Sequence, residues 1–208
     1  MRVRPDRIEA VLFDMDGTLV DSDAAVERAW LAWARWFGVA GAKVLALAHG
    51  SPSERTVRRV APWLDDHQVT AAAQHQLDLQ YTDLHDVGAA PGAHDALAVL
   101  AARRLPWGVV TSADRRLAGL RLAAAGIEPP LLVTVEDTAR GKPHPDGYLK
   151  AAAALGADPV GCLVVEDSEP GIAAGRAAGM PVAALRGLPA DLPIADLRAL
   201  AGWLDGAR

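Results

Sequence analysis

The chain reads as an α/β protein: a parallel sheet with helices on both faces and an α-helical block inserted after the first strand. Three observations predict this. Short apolar runs of strand type recur at Ala10–Phe13, Trp107–Val110, 161–165 and 182–185. From residue 93 onward such runs alternate with helical patterns, and alternating strand and helix imply parallel strands joined by crossovers. Between Asp23 and Val87 the periodicity is helical and no strand-like alternation occurs. Together these describe a Rossmann-like core carrying an inserted helical domain.

The elements follow in order. Ala10-Val11-Leu12-Phe13 is a buried strand. Val26, Trp30, Trp33, Trp36 and Phe37 recur at helical spacing over 23–37, and Gly38 is a stop. Residues 43–49 and 53–60 are two further helical pieces, broken at Gly50-Ser51-Pro52, and 69–84 is a fourth. Gly88-Ala89-Ala90-Pro91-Gly92 marks the return to the core. A helix over 93–103 leads to the strand 107–110, and a helix over 117–125 stops at Gly126. A strand at 131–135, a helix over 146–155 and the strand 161–165 follow. Glu169-Pro170-Gly171 opens a helix ending near Gly179, before the last strand. The expected division is a core of 1–21 and 89–208 and a helical cap of 22–88.

Composition narrows the classes. The chain has 208 residues, 51% of them apolar, and a net charge of −5. That length suffices for one sizeable core with a small inserted domain. Basic residues are scattered, with short pairs such as Arg58-Arg59 and Arg103-Arg104, which argues against nucleic-acid binding. A single cysteine, Cys162, excludes an internal disulfide and points to a reducing cytoplasm. No signal peptide and no apolar run of membrane-spanning length is read, so no membrane partner is expected.

Asp14-Met15-Asp16-Gly17-Thr18 carries the chemistry. Both acids sit where a strand ends, which is where ligands bind in an open α/β sheet. Two such carboxylates can hold a hard cation, or divide nucleophilic and acid/base work between them. A calcium loop begins similarly, but its glycine and glutamate positions hold Leu19 and Ala25 here. Three further segments end strands or form rigid loops: Val110-Thr111-Ser112, Gly141-Lys142-Pro143-His144-Pro145 and Val165-Glu166-Asp167-Ser168.

In this order the four motifs resemble the haloacid dehalogenase-like hydrolases, and their phosphatases in particular, over nearly the whole chain. The resemblance implies that Asp14 is the nucleophile, forming an aspartyl-phosphate. It makes Asp16 the general acid/base, with its backbone carbonyl on the metal. Dehalogenases of the family lack a carboxylate at that position, so Asp16 favours phosphoryl chemistry. Thr111 and Ser112 would hydrogen-bond the phosphoryl group, and Lys142 would neutralise it together with the nucleophile. Mg²⁺ would be held by Asp14, Asp16, Asp167 and Glu166, the last directly or through water.

The branch most resembled is the small sugar- and polyol-phosphate phosphatases with a helical cap. His49-Gly50-Ser51-Pro52 matches their cap loop, which makes His49, Glu54 and Arg55 the expected leaving-group contacts. Alternatives are a β-phosphoglucomutase-like mutase and a non-catalytic protein of the same fold. Such mutases carry a histidine at the position of Val26, and its loss favours water as acceptor. The expected partner is a small phosphorylated metabolite, the expected state a monomer or weak homodimer. His67, His75, His85 and His94 lack paired ligand spacing, and Trp30, Trp33 and Trp36 read as packing.

Overall fold

The computed structural model describes residues 3–48 and 51–206. The first strand, β1 (Ala10–Phe13), is buried along its whole length, as a strand covered on both faces should be. Met15 to Leu19 then turn tightly into β2 (Val20–Asp21), which opens the helical block. That block consists of α1 (Asp23–Phe37), α2 (Gly41–Ala48), α3 (Ser53–Val60) and α4 (Asp66–Thr82). The chain returns through β3 (Gly88–Ala89), which pairs antiparallel with β2.

The remainder alternates: α5 (Ala93–Arg103), β4 (Trp107–Val110), α6 (Arg115–Ala124), β5 (Leu132–Val133), α7 (Asp146–Leu155), β6 (Cys162–Glu166), α8 (Glu169–Ala177) and β7 (Val182–Ala184). A short β8 (Leu192–Pro193) and α9 (Leu197–Asp205) complete it. The six-stranded sheet has the order β5-β4-β1-β6-β7-β8, and every pairing in it is parallel. Phe13 lies opposite Val109 and Val165, so Asp14, Val110 and Glu166 leave the sheet together at its C-terminal edge. The α/β class is as the sequence predicts.

Alternation sorts the side chains of β1: Val11 and Phe13 pack on one face, Ala10 and Leu12 on the other. The helical block has its own apolar core of Trp30, Trp33, Val44, Val57, Val60 and Val69. Trp33 is fully buried, stacks on Phe37 at 4.5 Å and donates its Nε1–H to the Ala72 carbonyl at 2.8 Å. Trp36 is 76% exposed and contributes little to that core.

Several boundaries differ from the sequence reading. The helix expected over 69–84 begins at Asp66, because Asp65 and Gln68 cap each other reciprocally. The strand expected over 131–135 is only Leu132–Val133, and a 3₁₀ turn capped by Thr134 and Asp137 replaces its end. The C-terminal β8 and α9 were not expected. Asp196 caps α9, and Leu197, Leu200 and Leu204 bury one face of it.

Candidate active site

Lys142 organises the sheet edge. It is 7% exposed and donates to Asp14, to Glu166 Oε1 at 2.7 Å and to the Val110 carbonyl at 3.0 Å. Burial alone would lower the ammonium pKa, but Asp14 and Glu166 overcome this and hold it above the ordinary lysine range. Lys142 is therefore a fixed positive charge at the mouth of the sheet.

Glu166 is fully buried and saturated. Its Oε1 also accepts the Tyr148 hydroxyl at 2.8 Å. Its Oε2 accepts the Ser168 hydroxyl at 2.9 Å and the backbone N–H groups of Asp167 and Ser168 at 3.2 Å. α8 approaches so closely that a Cβ on Gly171 would lie 1.7 Å from Glu166 Oε1. These bonds make Glu166 the anchor of Lys142, a role the sequence reading did not give it.

Asp14 is buried, and burial pushes its carboxyl well above the usual range, with Lys142 pulling the other way. Asp167 is pushed up to about 7, first by burial and then by Glu166, against the pull of Arg186 and Lys142. Carboxylate oxygens of Asp14, Glu166 and Asp167 lie within 4.8 Å of one another. An all-oxygen donor set of this kind suits a hard divalent cation, which would also relieve the crowding of negative charge. Glu166 has both oxygens committed to hydrogen bonds, whereas Asp14 and Asp167 have fewer bonds to give up to such a cation. The turn that brings these acids together needs Gly17 (φ +78°), since a Cβ there would lie 2.2 Å from Asp167 Oδ2.

The Asp16 carboxylate stands outside that cluster. Its Oδ1 accepts the Ser22 hydroxyl at 2.6 Å and pairs with Arg121 at 2.8 Å. Thr111 Oγ1 accepts the Ala113 N–H at 3.0 Å, which leaves its hydroxyl hydrogen available. Asp14, Asp16, Thr111, Ser112 and Asp167 line one pocket, which α1, α4 and the segment 51–53 roof over. The structure thus brings together Asp14, Asp16, Thr111, Ser112, Lys142, Glu166 and Asp167.

The expected leaving-group contacts fare differently. His49 lies outside the described residues. Glu54 is exposed and is not brought to the pocket, its Oε1 facing the Thr70 hydroxyl at 3.5 Å. Arg55 is exposed, donates to the Lys142 carbonyl at 3.5 Å and does not line the pocket. The helical block instead presents Val26, Trp30, Ser53, Leu77 and Gln80 to the pocket, and the core presents Arg121. A second acidic group, Asp83, His85 and Asp86, lies in the hinge, where Arg28 bonds both aspartates at 2.7 to 2.8 Å.

A strand-end aspartate, a clamped lysine and an acidic cluster beneath an inserted helical block define a hydrolase of the parallel-sheet α/β class. The chain belongs to the haloacid dehalogenase-like hydrolases, whose profile matches residues 8–179. It is 41% identical over 188 residues to hexitol phosphatase A of Escherichia coli (strain K12), covering 90% of this chain and 87% of that one. It is 36% identical to validoxylamine A 7'-phosphate phosphatase of Streptomyces hygroscopicus subsp. limoneus, over 83% of each chain. The solved structure of a hydrolase from Pseudomonas syringae superposes with a TM-score of 0.85 at 25% identity, covering 96% of this chain and 98% of that one.

Proposed function

We propose that the protein is a Mg²⁺-dependent phosphatase of small sugar or polyol phosphates, working through an aspartyl-phosphate on Asp14. The observation that carries this reading is Lys142, pinned between Asp14 and Glu166 at the sheet edge. A carboxylate and a phosphate dianion repel, and a buried ammonium beside the nucleophile offsets that repulsion. The similarity to hexitol and validoxylamine phosphate phosphatases supports the substrate class.

In the first step an Asp14 oxygen attacks phosphorus and the bond to the leaving oxygen breaks. Asp16, protonated, gives its proton to that oxygen from Oδ2, the oxygen not held by Ser22 and Arg121. In the second step water attacks phosphorus, Asp16 takes its proton, and the acyl-phosphate bond breaks to return the Asp14 carboxylate and inorganic phosphate. Thr111 and Ser112 donate to phosphoryl oxygens, and Lys142 holds the charge throughout. Asp14, Asp167 and the Asp16 carbonyl would bind Mg²⁺, which when bound supplies further charge neutralisation at the phosphoryl oxygens.

The helical block serves as the lid that excludes water from the first step. Val26 in the pocket wall offers no polar side chain for transfer to a second sugar, which favours hydrolysis over mutase chemistry. Release of inorganic phosphate from a panel of hexitol and sugar phosphates, with Mg²⁺ and then with EDTA, tests the reading. Turnover that survives complete metal removal contradicts its metal part, and no turnover of any phosphate monoester contradicts it whole.

A further inference from the structure

Arg121 is the least expected residue of the pocket. It stands on α6, a core helix, yet its side chain is 2% exposed. One terminal nitrogen bonds Asp16 and the other donates to Gln80 Oε1 on α4 at 2.6 Å. Gln80 Nε2 then donates to Gln76 Oε1 at 2.7 Å, and the Ser53 hydroxyl donates to the same oxygen at 2.7 Å. Two buried donors, Arg121 Nε and Gln76 Nε2, find no acceptor among the described residues. Burying a guanidinium and leaving a buried donor unmatched both cost stability. Arg121 and Gln80 both line the pocket beside Asp16, where the guanidinium N–H groups not spent on Asp16 and Gln80 can meet a ligand oxygen.

Charge says which kind of oxygen. Of the charged side chains lining the pocket, Asp14 is paired with Lys142, Asp23 and Asp167 with Arg186, and Asp16 with Arg121. Arg121 is already balanced by Asp16 at 2.8 Å. A second anionic group on the substrate, a carboxylate or another phosphate, would meet no cation without a carboxylate partner among the described residues of that wall. A hydroxyl carries no charge, accepts from Arg121 and can donate to Asp16 or Gln80. Val26, Trp30 and Leu77 line the same pocket and suit the carbon chain.

We propose that Arg121, held by Gln80 and through it by Gln76, recognises the hydroxyl on the carbon next to the phosphoester and so selects phosphates of otherwise uncharged vicinal polyols. This rests on the phosphatase reading above. Specificity is then set partly by a core helix and partly by α4, and not by Glu54.

The test compares rac-glycerol 1-phosphate with 1,3-propanediol monophosphate, which lacks the vicinal hydroxyl, and uses p-nitrophenyl phosphate as the control for the chemistry. Full-length protein should prefer glycerol phosphate in kcat/KM by about 10- to 100-fold, since a site built around a hydroxyl rejects the analogue lacking it. Arg121→Met and Gln80→Leu should each bring the preference down to at most about threefold. A purely structural clasp would lower both substrates alike and leave their ratio unchanged. An unchanged ratio in the variants overturns the proposal. So does the absence of a preference in the unmodified protein while p-nitrophenyl phosphate is turned over. If Arg121→Met does not fold, the ratio in Gln80→Leu decides. Failure to turn over p-nitrophenyl phosphate at all would overturn the phosphatase reading and this inference with it.

Discussion

Glu166 Oε1 accepts the Lys142 ammonium at 2.7 Å, and Gly171 packs directly against the same carboxylate. A methyl group added at Gly171 would overlap Glu166 and push it off Lys142. In most helices Gly→Ala stabilises by about 0.5–1 kcal/mol. Here Gly171→Ala should destabilise by about 1–3 kcal/mol through overpacking. It should also lower kcat/KM for an aryl phosphate by about 100-fold, because Lys142 loses its anchor. Urea denaturation and steady-state kinetics measure both effects. Glu166→Gln keeps the shape but turns one acceptor oxygen into an N–H donor facing donors, so it should lower both activity and stability.

The acidic cluster makes a metal expectation that needs no assay of activity. Mg²⁺ added to EDTA-treated protein should raise the thermal midpoint, because it binds the folded state alone. Asp167→Asn should remove most of that rise. If Mg²⁺ leaves the midpoint of the unmodified protein unchanged at millimolar concentration, Asp14 and Asp167 do not form its site.

Arg28 clamps the hinge through Asp83 and Asp86, and its bonds hold the Asp83 carboxyl at about 2, below the ordinary 3.8. A depressed carboxylate stabilises the fold above its unfolded pKa and loses that contribution as pH falls through its folded pKa. The contribution of this clamp should therefore be intact above about pH 4 and be lost toward about pH 2. Denaturation midpoints of unmodified protein and Asp83→Asn should converge over that window. A stability gap that stays constant down to its lower end contradicts the assignment.

Much of this arrangement is legible in the chain because its strands are short and fully buried. Ala10–Phe13 and Cys162–Glu166 contain little but apolar residues up to the acid that ends them, so strand and site announce each other. Arg121 and Gln80 are illegible by the same logic, since long polar side chains read as solvent-facing. A signal did exist. Leu117, Ala118, Arg121 and Leu122 share the buried face of α6, and Val69, Ala72, Ala73, Gln76 and Gln80 share that of α4. Polar residues on an apolar stripe mark either a buried clasp or a site. Glu54 fails for the opposite reason: it lies close in sequence to the loop at the pocket but on the outer face of α3.

Trapping the phosphorylated enzyme distinguishes Asp14 as nucleophile from Asp14 as metal ligand. Asp14→Asn should lower turnover by at least about 1,000-fold, yet so would the loss of a metal ligand. Asp16→Asn instead slows attack of water on the intermediate while an aryl leaving group still departs unaided. That variant, mixed with p-nitrophenyl phosphate and Mg²⁺ and quenched in acid within one turnover, is digested and its peptides are weighed. One phosphoryl group should appear on the peptide containing Asp14, in step with the first equivalent of nitrophenol. A nitrophenol burst accompanied by a phosphoryl group on any other residue, or by free phosphate alone, would contradict it.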